Sequence, residues 1–357
     1  MVLMAIDHVR VYSGLPAGGP TAGIFFTRWI THFCAPAFCF FAGTSAFLYG
    51  RKLGDRGALA RHLVARGLWL VLLELTFLRF AWTFNFDYSH FVLAGVIWML
   101  GWCMVLLAPL VWLPTKTIGA IGVAIIFFQQ LFQDVPRGLP VWVGWIWEFI
   151  YPAGFKPWQG ISILYVLVPW IGVMAAGYAF GAIMTREPRE RDRICLWIGL
   201  SATAIFLALG SIFALHPRPG ETLPFLLRLL NQKKYPASQL YLLMTLGPLI
   251  ALLPLAERAR GWFAEMLAVF GRVPLFYYLL HIPLIHVTAL GVTFLREGNV
   301  HPEWYAYAPF TDVPPGSRWS LPLLYLVFSL VVTLLYFPCQ WFAGLKARHR
   351  EGWLRYF

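Results

Sequence analysis

Residues 27–50 read TRWITHFCAPAFCFFAGTSAFLYG. The run is long and apolar enough to cross a bilayer as one helix, for which about 20 residues are needed. Arg28 and His32 stand four residues apart within it, on one helix face. Pro36 lacks the amide that would bond the His32 carbonyl, which predicts a local kink there. Charged and titratable groups at membrane depth are costly and face a bundle interior or a wet cavity. The stretch therefore predicts a transmembrane segment with a polar site beside it.

The rest of the chain has the same character. Of its 357 residues 59% are hydrophobic and 12% charged, with a mean hydropathy of +0.67, whereas a soluble domain carries about a quarter charged residues. This predicts an all-α, polytopic transmembrane helix bundle, a single integral-membrane domain over residues 1–357. Seventeen Trp, 15 Tyr and 30 Phe suit interfacial belts as well as a core. Lys and Arg exceed Asp and Glu by 28 to 16, an excess that reads as cytoplasmic anchoring and not as nucleic-acid binding. Cys34, Cys39, Cys103, Cys195 and Cys339 are scattered without a CxxC pair. They indicate neither a disulfide framework nor a metal site and read as packing residues.

Apolar spans are predicted at about Phe26–Tyr49, Leu63–Trp82, Phe91–Leu113, Ile118–Phe132, Ile161–Met184, Ile194–Leu215, Ser238–Leu255, Met266–Phe294 and Leu321–Leu345. Before them, MVLMAIDHVRVYSG is about half a span and reads as the end of a truncated first helix. Residues 138–158, rich in Trp and broken by prolines, and residues 223–236 read as interfacial or re-entrant. The cations Arg51, Lys52, Arg56, Arg61 and Arg66 are read as one basic loop. With Arg186, Arg189, Arg191, Arg193, Arg258, Arg260 and the basic tail they fall on one side if each span crosses once. That gives about ten crossings with both termini cytoplasmic; Arg218, Arg228, Lys233 and Lys234 dissent.

Ionisable residues inside spans are the candidate site. Asp7, His8 and Arg10 lie on the first helix; Asp7 and His8, as neighbours, do not face each other, and Arg10 is the better partner for Asp7. Arg28 is read as pairing with Asp7 or Glu74, or as a substrate contact. Glu74 needs a cationic partner or carries a proton. Arg79 and His90, near predicted span ends, read as snorkelling or capping. His281 follows Tyr277 by one turn and precedes Pro283, which kinks the helix around it; His286, five residues on, faces elsewhere. A lone membrane histidine is most simply a hydrogen-bonded structural residue, and the grouping of His8, His32 and His281 near kinks and charges is what favours a shared site. GxSxG, P-loop, GxGxxG and HExxH signatures are absent.

Six segments, MVLMAIDHVR, TRWITHFCAPAFCFFAGTSAFL, LLELTFLRFAW, ILYVLVPWIGVMAAGYAFG, KKYPASQLYLLMTLGP and FGRVPLFYYLLHIPLIH, together resemble the bacterial branch of the heparan-alpha-glucosaminide N-acetyltransferase-like family, within the transmembrane acyltransferase superfamily. The resemblance runs nearly the whole length, in the family's order. It implies a bundle of about ten or eleven helices that passes an acetyl group from cytosolic acetyl-CoA to an amine or hydroxyl, often on a sugar, at the far side. The family's first helix carries an Asp-x-x-Arg-Gly segment whose arginine precedes a histidine by eleven positions; here the histidine, His8, is present and that arginine would fall before Met1. The lysosomal member keeps its catalytic histidine between the first two helices, where Tyr12–Thr27 has none. His8 or His32 would have to substitute.

Three functions follow. The first is an integral-membrane acyltransferase with His8 as base, then His32 and His281 as candidates. Arg28, Tyr277 or Tyr278 would be oxyanion donors, and Arg51, Lys52, Arg56, Arg61 and Arg66 would hold acyl-CoA phosphates. Membrane lipid, acyl-CoA and a polar or glycan acceptor are the expected partners. The alternative is a proton-coupled transporter or exporter of a polar glycan or lipid-linked precursor, with Glu74 and the histidines as proton carriers. The third is a haem carrier ligated by His32 and His281.

Overall fold

The structure, a computed structural model, describes residues 1–348 apart from 20, 90, 138–139, 156–159, 218–219 and 221. Predictions that fall on His90, Arg218 and the tail beyond residue 348 lie outside the described residues, as do parts of 138–158.

In chain order, α1 (Val2–Tyr12) is followed by α2 (Ala22–Trp29), a 3-10 turn over Ile30–Phe33 and α3 (Cys34–Leu53). The change of pitch falls at His32, just before the Pro36 that removes an amide from the ladder. Next come α4 (Arg56–Leu73), a π turn over Glu74–Leu78 and α5 (Arg79–Thr83). Strand β1 (Val92–Ala94) leads into α6 (Val96–Leu110) and α7 (Thr115–Phe128), then α8 (Val141–Trp147). Strand β2 (Ile161–Ile163) precedes α9 (Leu167–Phe180), α10 (Pro188–Leu215), α11 (Phe225–Leu230) and α12 (Gln239–Arg258). The chain continues through α13 (Trp262–Arg272), α14 (Pro274–Glu297) and α15 (Leu321–Arg348). Seven of the described helices are long and apolar enough to cross a membrane. The protein is an all-α polytopic membrane protein, as its composition requires.

Three local expectations need correction. The basic loop is mostly helix. Arg51 and Lys52 close α3, only Gly54 and Asp55 link the helices, and Arg56, Arg61 and Arg66 lie on α4. Asp55 starts α4 early because its carboxylate accepts the Gly57 amide at 2.7 Å. The segment expected as one span over Met266–Phe294 is two helices, since Pro274 forces Val273 out of the helical region (φ −133°, ψ 53°). Finally, Val92–Ala94 and Ile161–Ile163, expected within helices, pair as two parallel strands.

Contacts divide the chain into two compact units. The larger comprises 35–75 and 88–258. In it α10 packs on α12, α7 on α9 and α4 on α6. Small residues set these spacings, as they do where dispersion and not hydrophobicity joins helices. A Cβ on Gly67 or Gly101 would stand 2.5 Å from the other's carbonyl oxygen, so α4 and α6 touch backbone to backbone. α3 meets α9 in the same way, with the Thr44 hydroxyl donating to the Gly177 carbonyl at 2.9 Å. The smaller unit comprises 1–34, 76–87 and 259–357. Here α1 packs on α14 and α15. The connection between those two helices folds back on α1: the Trp319 amide donates to the Ser13 carbonyl at 3.1 Å and the Thr311 hydroxyl to the Val11 carbonyl at 3.0 Å.

Candidate active site

Helices α1 and α14 bring two histidines 273 residues apart in sequence into direct contact. His8 Nδ1 lies 2.6 Å from His281 Nε2. The rings are within 22° of a common plane with centroids 4.8 Å apart, the separation produced when two imidazoles meet nitrogen to nitrogen along the line of their centres. This is an in-plane hydrogen bond and not a face-to-face stack. His281 is fully buried, and His8 is half-buried.

The network assigns the tautomers. His281 Nδ1 stands 2.7 Å from the Tyr278 carbonyl and 3.1 Å from that of Tyr277. Carbonyls only accept, so this nitrogen carries the hydrogen. In the neutral ring Nε2 is then the acceptor, and His8 must donate to it from Nδ1. His8 accordingly holds its lone pair at Nε2, the atom suited to a base. Pro283 lies two residues beyond His281 in α14.

Aromatic rings fix both imidazoles. Tyr277 stacks on His281 at 5.3 Å and 15°, and its buried hydroxyl has no hydrogen-bond partner among the described residues. Trp82 meets His8 edge-on at 4.9 Å, and its carbonyl accepts the Tyr12 hydroxyl at 2.6 Å. Trp82 was not among the expected site residues. It arrives at His8 on α5, beyond the π turn at Glu74–Leu78, which resets the helix face and defeats periodicity. Asp7 pairs with Arg10 at 2.9 Å, the i,i+3 partner expected. Arg10, almost buried, also donates to the Leu15 carbonyl at 2.9 Å, so the pair closes the end of α1.

The other predicted residues are placed differently. Glu74, 2% exposed, is held by backbone: Oε2 accepts the Ile97 amide at 2.9 Å and the Trp98 amide at 3.1 Å. These are surplus donors of the α6 N-terminus, whose N-cap is Gly95 with no side chain to offer. Glu74 is a cap supplied from another helix, a structural role that accounts for its burial without a transport function. His32 is buried in the 3-10 turn and is not part of the His8–His281 bond. The haem reading loses a ligand atom, since His281 Nε2 is taken by His8. His286 bonds the Ala81 carbonyl through Nδ1 at 3.2 Å and stacks on Phe84 at 3.9 Å. Arg79 is buried and caps its own helix end, donating to Thr83 Oγ1 at 2.6 Å, to Asn85 and to the Asp87 carbonyl.

Of the five cations assigned to acyl-CoA, Arg51, Lys52, Arg56 and Arg61 are exposed and Arg66 is half-buried. Steps of five residues turn the helix by about 140° each, so Arg56, Arg61 and Arg66 do not form one stripe. Arg56 donates to the Trp112 carbonyl at 2.6 Å, at the end of α6.

Residues 1–216 match the family model described as heparan-alpha-glucosaminide N-acetyltransferase, catalytic. The match includes His8 and Glu74 and stops short of His281. No curated protein matches the chain.

Proposed function

The chain belongs to the heparan-alpha-glucosaminide N-acetyltransferase catalytic family, and from that premise we propose that it is an integral-membrane acyltransferase in which His8 is the general base. The observation that carries the reading is the 2.6 Å bond from His8 Nδ1 to His281 Nε2, with His281 Nδ1 tied to backbone carbonyls. It leaves the base at His8 Nε2 and gives it an orienting partner, the arrangement that recurs where an imidazole activates a nucleophile.

In the proposed step His8 Nε2 takes the proton from an amine or hydroxyl of a polar acceptor, for which a sugar is the expected class. The acceptor's nitrogen or oxygen bonds to the thioester carbonyl carbon of an acyl-CoA, expected to be acetyl-CoA. The carbon–sulfur bond then breaks and the CoA sulfur leaves with the electron pair, to be protonated from the imidazolium. During this cycle the positive charge on His8 is shared through its Nδ1 hydrogen with His281, whose own Nδ1 hydrogen stays on the Tyr277 and Tyr278 carbonyls. Arg51, Lys52, Arg56 and Arg61 are the cations available to the CoA phosphates. The Lys and Arg distribution supports both termini lying in the cytoplasm, and the resemblance supports a bacterial inner membrane.

The test is acyl transfer from acetyl-CoA by purified protein in detergent or vesicles, against a panel of amino sugars and sugar alcohols. His8→Ala is expected to lower kcat by about 10²-fold or more, with acetyl-CoA binding retained. Transfer at the normal rate in His8→Ala would overturn the assignment.

A further inference from the structure

Helix α13 is too short to cross a membrane and too apolar to stand in water. Its 11 residues reach about 16 Å, against about 30 Å of hydrocarbon. Yet Trp262 is 75% exposed and Phe263 61%, with Leu267 exposed beside them. Val269 and Phe270 of the same helix are buried, packed toward α14 and α15 through Phe270–Tyr277 and Phe270–Tyr336 ring contacts at 5.2 and 6.0 Å. The apolar arc is thus wider than its protein contact: Phe263 and Leu267 extend beyond buried Phe270 around the helix, and Trp262 is uncovered at its N-terminal end. Glu265 and Arg272, two turns apart, share a side of the helix opposite Phe263 and Leu267.

Cations surround the helix. Arg260 precedes it and Arg272 ends it. Phe276, at the start of α14, stacks on Phe342 of α15 at 4.1 Å. Lys346, one turn beyond Phe342, and Arg348 therefore stand at the same end of this unit as Arg272. Glu265 is the one acid within α13. An exposed Trp–Phe–Leu edge bordered by Lys and Arg is complementary to a membrane surface that offers acyl chains beneath negative headgroups.

We propose that α13 lies in the membrane interface and docks on anionic phospholipid, with Trp262, Phe263 and Leu267 inserted to the headgroup boundary and Arg260, Arg272 and Lys346 on the lipid phosphates. This inference is independent of the acyl-transfer reading. It also accounts for the break at Val273–Pro274, which turns an interfacial helix away from the spanning helix that carries His281.

The test uses the full-length protein in vesicles of phosphatidylcholine with or without phosphatidylglycerol. The fluorescence lost in Trp262→Phe isolates the Trp262 signal. That signal is expected to be quenched more by lipids brominated near the carbonyl end of the chain than by lipids brominated near its terminus. In parallel, spin-labelled phosphatidylglycerol is expected to associate more than the phosphatidylcholine probe, and the preference to fall several-fold in the Arg260→Gln, Arg272→Gln, Lys346→Gln variant and in high salt. Deeper quenching at the chain terminus, full quenching by acrylamide from water, or shielding from both quenchers by protein would each overturn the proposal. An unchanged lipid preference in the triple variant would do the same.

Discussion

Glu74 in one unit and the His8–His281 pair in the other are buried ionisable centres in apolar helices, and their partners separate them. The Glu74 carboxylate ends on the Ile97 and Trp98 amides, groups that any helix start leaves over. His281 gives one ring nitrogen to backbone carbonyls and turns the other to a second titratable side chain. A buried group whose polar atoms end on backbone can hold structure together. A group whose polar atom ends on another imidazole can also hand charge onward. His286 sides with Glu74: five residues along the same helix as His281, it ends on the Ala81 carbonyl and the Phe84 ring.

The largest effect that sharpens this contrast is expected at His281. His281→Ala removes the acceptor that orients His8, and kcat per folded molecule should fall by about 10²-fold with acetyl-CoA KM little changed, while emptying this buried site costs about 2 kcal/mol of stability or more. His281→Gln places an amide oxygen near the former Nε2 and should recover part of the loss. A Gln variant as inactive as Ala would mean that His281 acts as an imidazole and not as an acceptor. Next is Glu74→Leu. It leaves two buried amides of α6 without an acceptor, for an expected cost of about 2 kcal/mol, measured by unfolding in detergent, with transfer per folded molecule unchanged. A fall in kcat comparable to that of His281→Ala would erase the contrast. His286→Phe comes third. It gives up the bond to Ala81 and keeps the stack on Phe84, so about 1 kcal/mol of stability is expected to go, with kcat within twofold of the parent.

The sequence carried the fold further than the site. Hydropathy was enough for the membrane class because lipid-exposed leucines and phenylalanines are a composition, visible without knowing any contact. Boundaries failed where a helix is started or stopped by local chemistry. Asp55 begins α4 ahead of the apolar run, and Pro274 ends α13 inside one. The site candidates were found one at a time, His8 and His281 included, because a titratable residue in an apolar run is conspicuous. Their pairing was not legible: 273 residues separate them, and no local spacing encodes a contact between α1 and α14. The same limit hid Trp82, which a π turn rotates to His8, and the cap on α6. Gly95, a helix N-cap without a side chain, is the faint sign that an outside acceptor would be needed there.

Glu74→Gln gives the smallest expected effect and the clearest discrimination. The amide oxygen of glutamine can accept the Ile97 and Trp98 amides much as the carboxylate does, so the cap survives. What is lost is the attraction of a negative charge to a helix N-terminus, about 0.5 kcal/mol, read as a small shift in the unfolding midpoint. Transfer should be unaffected, because the His8–His281 bond and the Trp82 contact do not involve Glu74. A proton-coupled transporter would respond in the opposite sense, since glutamine cannot take up and release the coupled proton however well it caps a helix. Flipping or uptake of a glycan that stops in Glu74→Gln, with the midpoint barely moved, would restore Glu74 as a working group and reverse the contrast between the two centres.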